Sequence, residues 1–292
     1  MNRPLPLLLI TGIAFGCNFP LAKLGVAAGV NPALWAIVIC LGTGLVTLVL
    51  SMLTEQASNA PGIYRYAAIS GLVSNVIPLF LTFAAIPHIG SGLAAIMVAT
   101  SPVMTALLSI LLKVRPPSLL GLAGIALGLI GAVAIIIARN ASFSAEESLW
   151  LFLAALIPVF LGIGNVYRTL AWPKGVGPMR LAALVNLAAV PPLALVGIFW
   201  HGIDLRPLLD VPLVVAAQLV SATIMYLTFF RLQAVGGPTY LSQIGYVAAI
   251  VGVGFGVTFL GETYPATVWA GVAVVAAGIA LSTLAQARVA RG

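Results

Sequence analysis

Two runs of the sequence carry polar residues at the spacing of one helix face, within otherwise apolar stretches. Steps of three and four residues place the members of each run on a single face of a helix. The runs are Gly71, Asn75, Pro78 and Thr82 in the first half, and Gln218, Ser221, Met225 and Thr228 in the second. Their amides and hydroxyls donate and accept hydrogen bonds without titrating at neutral pH. Such faces can bind a small polar molecule or hold two helices together.

Four further apolar stretches carry side chains of the same kinds near their centres. These are Asn18, Met97, Ser101, Asn165, Tyr240, Gln243 and Tyr246. In hydrocarbon, a polar side chain needs a partner and therefore faces the interior of a helix bundle or a water-filled cavity. We expect a substrate cavity made of amides, hydroxyls, methionine and tyrosine, with no fixed charge. The alternative is that these groups only join helices by hydrogen bonds.

The elements that position these residues are membrane spans. Apolar residues make up 62% of the 292-residue chain and charged residues only 7%, whereas soluble domains carry about 25% charged residues. A helix crosses the bilayer in about 20 residues, and only helices or closed barrels satisfy their own backbone there. We predict an all-α integral membrane protein with ten transmembrane helices, at roughly 5–28, 32–53, 66–87, 91–112, 118–138, 149–170, 178–200, 210–232, 238–260 and 265–287.

The basic residues predict the orientation of these spans. With the N-terminus in the cytoplasm, ten Lys and Arg residues fall on the inner side, Arg168 among them, and three fall on the outer side. This is the bias that orients multi-span proteins, so both termini are predicted to be cytoplasmic. Lys23, near the outer end of the first span, is expected to snorkel toward water, or to attract a carboxylate if it faces a vestibule.

The second half of the chain matches the first half. At a shift of 146 residues, Leu81-Thr82-Phe83 returns as Leu227-Thr228-Phe229; at 147, Asn18 lands on Asn165. We predict two repeats, 1–145 and 146–292, each of five spans. Five is an odd number, so the repeats insert with opposite orientation. Inverted repeats in a membrane chain are typical of transporters, whose substrate site lies between the repeats.

The sequence lacks the residue patterns that catalysis, metal binding or a proton relay would need. No Asp or Glu lies near the centre of a span, His88 and His201 lie at span ends or in loops, and no catalytic or metal-binding constellation can be assembled. We therefore expect no enzyme activity, no cofactor, no metal and no nucleic acid partner; the expected partners are a small-molecule substrate and the lipid bilayer. Glycine-rich faces in spans 5 and 10 allow close helix packing, consistent with a monomer or a weak homodimer. Ser144 and Glu147 predict a capping box that begins span 6.

Two segments resemble a known family. Phe15-Gly16-Cys17-Asn18-Phe19-Pro20-Leu21-Ala22-Lys23 resembles the first-span motif of the EamA family of the drug/metabolite transporter (DMT) superfamily, usually WGxNF with a downstream lysine. Leu260-Gly261-Glu262-Thr263 resembles the signature of the family's second repeat. Phe15 replaces the usual tryptophan, and Arg115 stands at the position that corresponds to Glu262. Asn165-Val-Tyr-Arg168 and Trp172-Pro173 are similar to the YddG-type aromatic amino acid exporters of this family.

The resemblance implies a central cavity lined by spans 1, 3, 4, 6, 8 and 9, and an exporter of small metabolites in a bacterial inner membrane. We expect neutral or aromatic amino acids as substrates. Efflux of drugs or other metabolites is the alternative transporter function, and a membrane-embedded enzyme is the alternative of another class. The absence of a titratable group at mid-depth predicts facilitated diffusion or exchange.

Overall fold

A computed structural model of the protein describes residues 4–55, 60–112, 118–140, 144–200 and 202–289. Side chains are described there except at scattered positions, the longest run of which is 236–243. Within these ranges all regular structure is helical. The first seven helices are α1 (Pro4–Ala27), α2 (Pro32–Thr54), α3 (Ile63–Gly71), α4 (Ile77–Ile89), α5 (Ser91–Ala99), α6 (Ser101–Leu111) and α7 (Leu119–Asn140). The others are α8 (Ala145–Ala155), α9 (Ile157–Leu170), α10 (Pro178–Trp200), α11 (Arg206–Asp210), α12 (Pro212–Phe259) and α13 (Ala266–Val289).

Three predicted spans are interrupted, each just before a proline. A π-helical turn, Leu72–Val76, joins α3 to α4 ahead of Pro78. Pro102 follows the junction of α5 and α6, and Pro158 follows the junction of α8 and α9. Proline lacks the N–H that would continue the helical hydrogen bonds and crowds the preceding turn. Pro20 lies inside α1, which runs on without a break.

Helix α12 has 48 residues, where the sequence predicts two spans. It is not straight. Thr11 of α1 donates to Thr228 at 2.7 Å, and the next residue, Gly12, contacts Val247. A straight helix would separate residues 228 and 247 by about 28 Å, at about 1.5 Å per residue. The chain therefore reverses between its halves, Pro212–Val235 and Ile244–Phe259, and both halves lie along α1.

Helices that the two-repeat pattern makes equivalent lie side by side and run antiparallel. In α7 and α13, a Cβ at Gly131 would lie 2.9 Å from the Gly271 carbonyl, and one at Gly278 would lie 2.7 Å from the Gly124 carbonyl. Residue numbers therefore fall along α7 in the direction in which they rise along α13, so the two helices are antiparallel. These glycine faces pack against each other within one chain, which accounts for them without a dimer.

The pair formed by α2 and α10 is fixed at both ends. Asn31, before α2, donates to the Gly202 carbonyl beyond α10 at 3.1 Å. At the other end, the Glu55 carboxylate accepts from the backbone N–H groups of Met179 and Arg180 at 3.0 Å each. These N–H groups belong to the first turn of α10, which has no helical partners for them. Antiparallel packing of equivalent helices is the arrangement expected of inverted repeats.

The helices are apolar on the outside and polar within. Six helical segments of the described residues are long and apolar enough to cross a membrane, and four shorter apolar helices accompany them. Large apolar side chains point outward, as with Leu119 (86% exposed) and Phe199 (85%), whereas Asn18 (6%) and Gln218 (0%) are buried. Lipid solvates the exposed apolar side chains, but it offers no hydrogen-bond partner to amides such as those of Asn18 and Gln218. The chain is a multi-pass membrane protein.

Capping at the start of α8 follows the sequence. Ser144 accepts a hydrogen bond from the Glu147 backbone N–H at 3.2 Å, and the Glu147 carboxylate accepts from the Ser144 N–H at 2.8 Å. The predicted capping box is confirmed, and it leaves Glu147 with a structural role at the edge of the bundle.

Candidate functional site

A cavity of about 110 Å³ lies at the centre of the bundle. Its wall comes from α1, the π-helical turn with α4, the α5–α6 junction, α9 and both halves of α12, with Ile39 of α2 added. The polar lining is Asn18, Ser74, Asn75, Thr82, Ser101, Asn165, Arg168 and Tyr226. The aromatic lining is Phe15, Phe19, Phe83, Phe229 and Phe230. The helices broken at Pro78, Pro102 and Pro158 all contribute to this wall.

Asn18 is held in the wall by a second amide. Gln218 Nε2, fully buried in α12, donates to Asn18 Oδ1 at 2.8 Å. No hydrogen bond within the described part of the chain engages the amide nitrogen of Asn18. The Gln218 bond fixes the orientation of the Asn18 side chain and leaves this nitrogen as a donor for a molecule in the cavity.

Asn75 belongs to a different network, which joins helices. Its Nδ2 donates to Asn186 Oδ1 at 3.1 Å, and Asn186 Nδ2 donates to the Ala182 carbonyl at 2.9 Å. Asn186 is fully buried in α10, and sequence reasoning missed it because span 7 otherwise reads as apolar scaffold. The pair anchors the π-helical turn to α10, while the Asn75 side chain still lines the cavity.

Arg168 is the charged group of the cavity wall. Only 5% of it is exposed. Its Nη2 donates to Asn165 Oδ1 at 2.5 Å, and its guanidinium carbon lies 5.2 Å from the centre of the Phe229 ring. Asn165 Nδ2 in turn donates to Thr105 Oγ1 at 3.1 Å. The expected cavity without fixed charge is therefore wrong.

The spacing of residues in the sequence indicates that Arg168 shares a helix face with Asn165. Residues 161, 165 and 168 share one helix face by their spacing of four and three, and Leu161, Asn165 and Arg168 all line the cavity. The assignment of Arg168 to the inner side depends on its position along the span, whereas its burial depends on the helix face on which it lies. Arginine at the end of an apolar helix usually reaches water, whereas this one turns into the bundle.

Aromatic side chains surround the Arg168 end of the cavity. Tyr66 stacks on Tyr167 with ring centres 5.8 Å apart, and Trp172 lies 6.3 Å from Phe230. Phe229 packs against Phe230 at 5.5 Å. Of these rings, Phe229 lies against the guanidinium, and apolar surroundings of this kind strengthen an electrostatic contact.

Other predicted site residues lie elsewhere. Pro78 and Met225 line the cavity. Met97 is packed in the core with 1% exposure, and the Ser221 hydroxyl donates to the Ala14 carbonyl at 2.7 Å, which joins α12 to α1. Tyr246 is half-buried and packs against the core. The side chains of Tyr240 and Gln243 lie outside the described residues. A role in substrate binding stays a prediction for the twelve candidate residues, which are Asn18, Asn75, Pro78, Met97, Ser101, Asn165, Gln218, Ser221, Met225, Tyr240, Gln243 and Tyr246.

A second polar cluster closes the opposite end of the bundle. Glu262, in the turn between α12 and α13, accepts from Lys23 Nζ at 2.6 Å and from the Ser91 and Gly92 N–H groups at 2.7 and 3.0 Å. The hydroxyls of Ser91 and Tyr264 also donate to it. The carboxylate thereby caps α5. The Lys23 side chain is 29% exposed and its ammonium pairs with this carboxylate of the turn; snorkelling toward water stays a prediction.

These donors keep Glu262 ionised. Burial raises the pKa of the carboxyl, but the Lys23 ammonium, the Tyr264 hydroxyl and the backbone N–H groups of Gly92 and Ser91 outweigh it. Together they lower the pKa from its ordinary value of 4.5 to about 2. Every oxygen has partners, so this cluster fastens α1, α5 and the final turn together and offers no open position to a ligand.

The described cavity wall contains no Asp, Glu or His. His88 lies away from it, stacked on Trp150 at 4.9 Å and 3.7 Å from Glu146, and His201 lies outside the described residues. No group of three or more His, Cys, Asp or Glu side chains that could hold a metal ion occurs in the described ranges. The polar chemistry of this wall is hydrogen bonding and one positive charge.

Comparison with known proteins agrees with this architecture. The cavity lies in a bundle of apolar helices whose equivalent pairs run antiparallel, an arrangement typical of membrane transporters made of two repeats. The EamA-like transporter family matches residues 3–137 and again residues 148–284, so the chain belongs to this family. The resemblance drawn from the first-span and second-repeat motifs is thereby confirmed.

Solved structures support the same fold. One titled "Crystal structure of protein" covers 97% of this chain and 98% of its own, with a TM-score of 0.69 and 20% identity. At that identity the match speaks for the fold and not for a substrate. A search of the curated proteins finds no match.

Proposed function

We propose that the protein exports neutral and aromatic amino acids across a bacterial inner membrane, by alternating access through the central cavity. The observation that carries this is the cavity wall, which combines fixed amides and one cation with aromatic rings. In this proposal the bundle has ten spans with both termini in the cytoplasm. Without Arg168, which is buried, nine basic residues against three still favour that orientation.

The wall suits a zwitterion with an apolar side chain. Asn18 offers an amide donor, and Arg168 with Asn165 offers a positively charged polar corner. Phe15, Phe19 and other aromatic rings supply apolar surface for a side chain. Sites of this kind are mostly apolar, with a few placed polar groups that set orientation.

The size of the cavity favours a small substrate. One water molecule needs about 10–15 Å³ of such space, so about 110 Å³ holds roughly ten water-sized groups. That is the scale of one amino acid and is smaller than most drugs. Efflux of drugs is the alternative, and the buried guanidinium counts against it for cationic compounds, since like charges repel in a low dielectric.

The wall also indicates how transport is driven. A proton relay needs a titratable group at depth, and the described lining has only arginine and tyrosine as ionisable side chains. Arginine does not release its proton in proteins. The proposal is therefore facilitated diffusion or exchange, in which the substrate's own gradient drives flux and the repeats rock around the central site.

Purified protein in liposomes tests this function. A gradient of labelled phenylalanine or leucine alone should drive flux above that of protein-free liposomes, and the Asn18→Ala variant should slow it. An imposed pH gradient should change the rate without concentrating the amino acid. Absence of amino acid flux with robust flux of cationic dyes would replace the proposal by drug efflux, and uphill accumulation driven by protons would overturn the mode of transport.

A further inference from the structure

We propose that Arg168 binds the carboxylate of the transported molecule and thereby selects substrates that carry one. The inference rests on the proposed function, in that the cavity is taken as the transport site. It goes further by assigning one end of the substrate to one residue. Asn165 is then a positioning residue, which orients the guanidinium without itself defining the substrate class.

The burial of Arg168 is the first reason. A guanidinium stays charged at every physiological pH, and a charge with 5% exposure is costly unless it is paired. Three ion pairs occur among the described residues, and Arg168 takes part in none of them. The described bundle thus holds a buried positive charge without a carboxylate of its own.

The count of donors is the second reason. Arginine has five N–H donors in a planar fork that matches the two oxygens of a carboxylate. One of them, on Nη2, reaches Asn165, and the ring of Phe229 lies near the guanidinium. The Nε–H is buried and has no hydrogen-bond partner among the described residues. Donors therefore remain for an acceptor that enters the cavity.

The fixation of the guanidinium is the third reason. Asn165 Nδ2 donates to Thr105, and the Thr105 hydroxyl donates to the Ser101 carbonyl at 2.8 Å. This chain determines which end of the Asn165 amide faces Arg168, so its oxygen accepts from the guanidinium. A cation held in this way loses little freedom when it binds an anion, which is the condition for strong charged hydrogen bonds.

Paired ligands test the assignment. Binding to purified protein is measured by titration calorimetry for phenylalanine, for phenylalaninamide, which lacks the carboxylate, and for 3-phenylpropionate, which lacks the amine. We expect wild type to bind the two acids tighter than the amide by roughly 10- to 100-fold, as for hydrogen bonds to charged groups. Arg168→Gln should abolish this preference, and Arg168→Lys should keep part of it.

Arg231→Gln is the matched control, because Arg231 directly follows the cavity residue Phe230 on α12, is itself exposed, and does not line the cavity. It should keep the full preference for acids. A preference in Arg168→Gln equal to that of wild type would overturn the assignment. If Arg168→Gln does not fold, the affinities of the wild-type protein test the assignment. Equal affinity of wild type for phenylalanine and for phenylalaninamide would also overturn it.

The same ligands separate failure of the site from failure of the proposed function. Wild type that transports phenylalanine and its amide equally would keep the transporter proposal and reject the role of Arg168. Wild type that binds 3-phenylpropionate through Arg168 but neither binds nor transports any amino acid would keep the carboxylate site and reject amino acid export.

Discussion

Two cations at opposite ends of the bundle, the partly exposed Lys23 and the buried Arg168, have contrasting surroundings. Lys23 Nζ lies 2.6 Å from a Glu262 carboxylate that four further donors also reach. Arg168 is more deeply buried and has an amide oxygen and an aromatic ring beside it. The first charge is neutralised within the chain, and the second is not.

This difference separates a structural group from a binding group. A saturated ion pair with capping bonds stabilises the state in which it forms, because each partner would otherwise be left unpaired. A buried cation without a counterion lowers the stability of the folded protein until an anion binds to it. Such a cation is therefore better explained by binding an anion that is not part of the chain.

The largest expected effect belongs to Glu262→Gln. The change removes the charge that pairs with Lys23 and turns one acceptor into a donor facing other donors. Breaking a buried pair costs about 3 kcal/mol or more, and we expect a loss of about 2–4 kcal/mol because Lys23 is partly exposed. Thermal unfolding in detergent measures it. Glu146→Gln, whose side chain is 72% exposed, should change stability by less than about 0.5 kcal/mol, and equal losses in the two variants would contradict the comparison.

The dependence on pH follows from the same carboxyl group. Its pKa is lowered from 4.5 to about 2 in the folded protein, so folding favours the ionised form. The stability it contributes is present in full above the unfolded pKa of 4.5 and is lost as pH falls toward 2. The difference in melting temperature between wild type and Glu262→Gln should stay constant from neutral pH down to about 5 and shrink below 4.5. A difference that shrinks between pH 8 and 6 would show that another group is responsible.

Arg168→Met should have the opposite sign. It replaces an unpaired buried cation by an apolar side chain of similar length, and such replacements are often stabilising. We expect ligand-free protein to gain about 1 kcal/mol in thermal unfolding while losing the stabilisation that a bound carboxylic acid gives wild type. A clear loss of stability would mean that Arg168 is a structural group like Lys23.

The sequence predicted the scaffold better than the site. Hydropathy is a local property, so the apolar membrane-spanning character of the helices could be predicted from the sequence. Prolines alone do not specify the breaks, since Pro20 lies inside the continuous helix α1 whereas breaks precede Pro78, Pro102 and Pro158. The Gln218–Asn18 bond and the Lys23–Glu262 pair join residues 200 and 239 positions apart, and no local pattern specifies such contacts. The burial of Arg168 was not predicted because it depends on the face of α9 and not on position along the span, and Asn186 was missed because a single polar residue in an apolar span carries no periodic signal.

The smallest expected effects distinguish two predicted site residues on the contact between α1 and α12. Asn18 lines the cavity, whereas the Ser221 hydroxyl is occupied by the Ala14 carbonyl. Asn18→Ala removes a donor that a ligand can use, and one hydrogen bond is worth about 0.5–1.5 kcal/mol, so the Kd for the transported acid should rise about three- to tenfold. Ser221→Ala removes a bond to a carbonyl already inside a helix, and the Kd should stay within about twofold. Calorimetry on both variants compares them directly. Equal weakening would show that the contact between α1 and α12, rather than the cavity wall, controls affinity, and the amide of Asn18 would then be a joint between helices like that of Asn75.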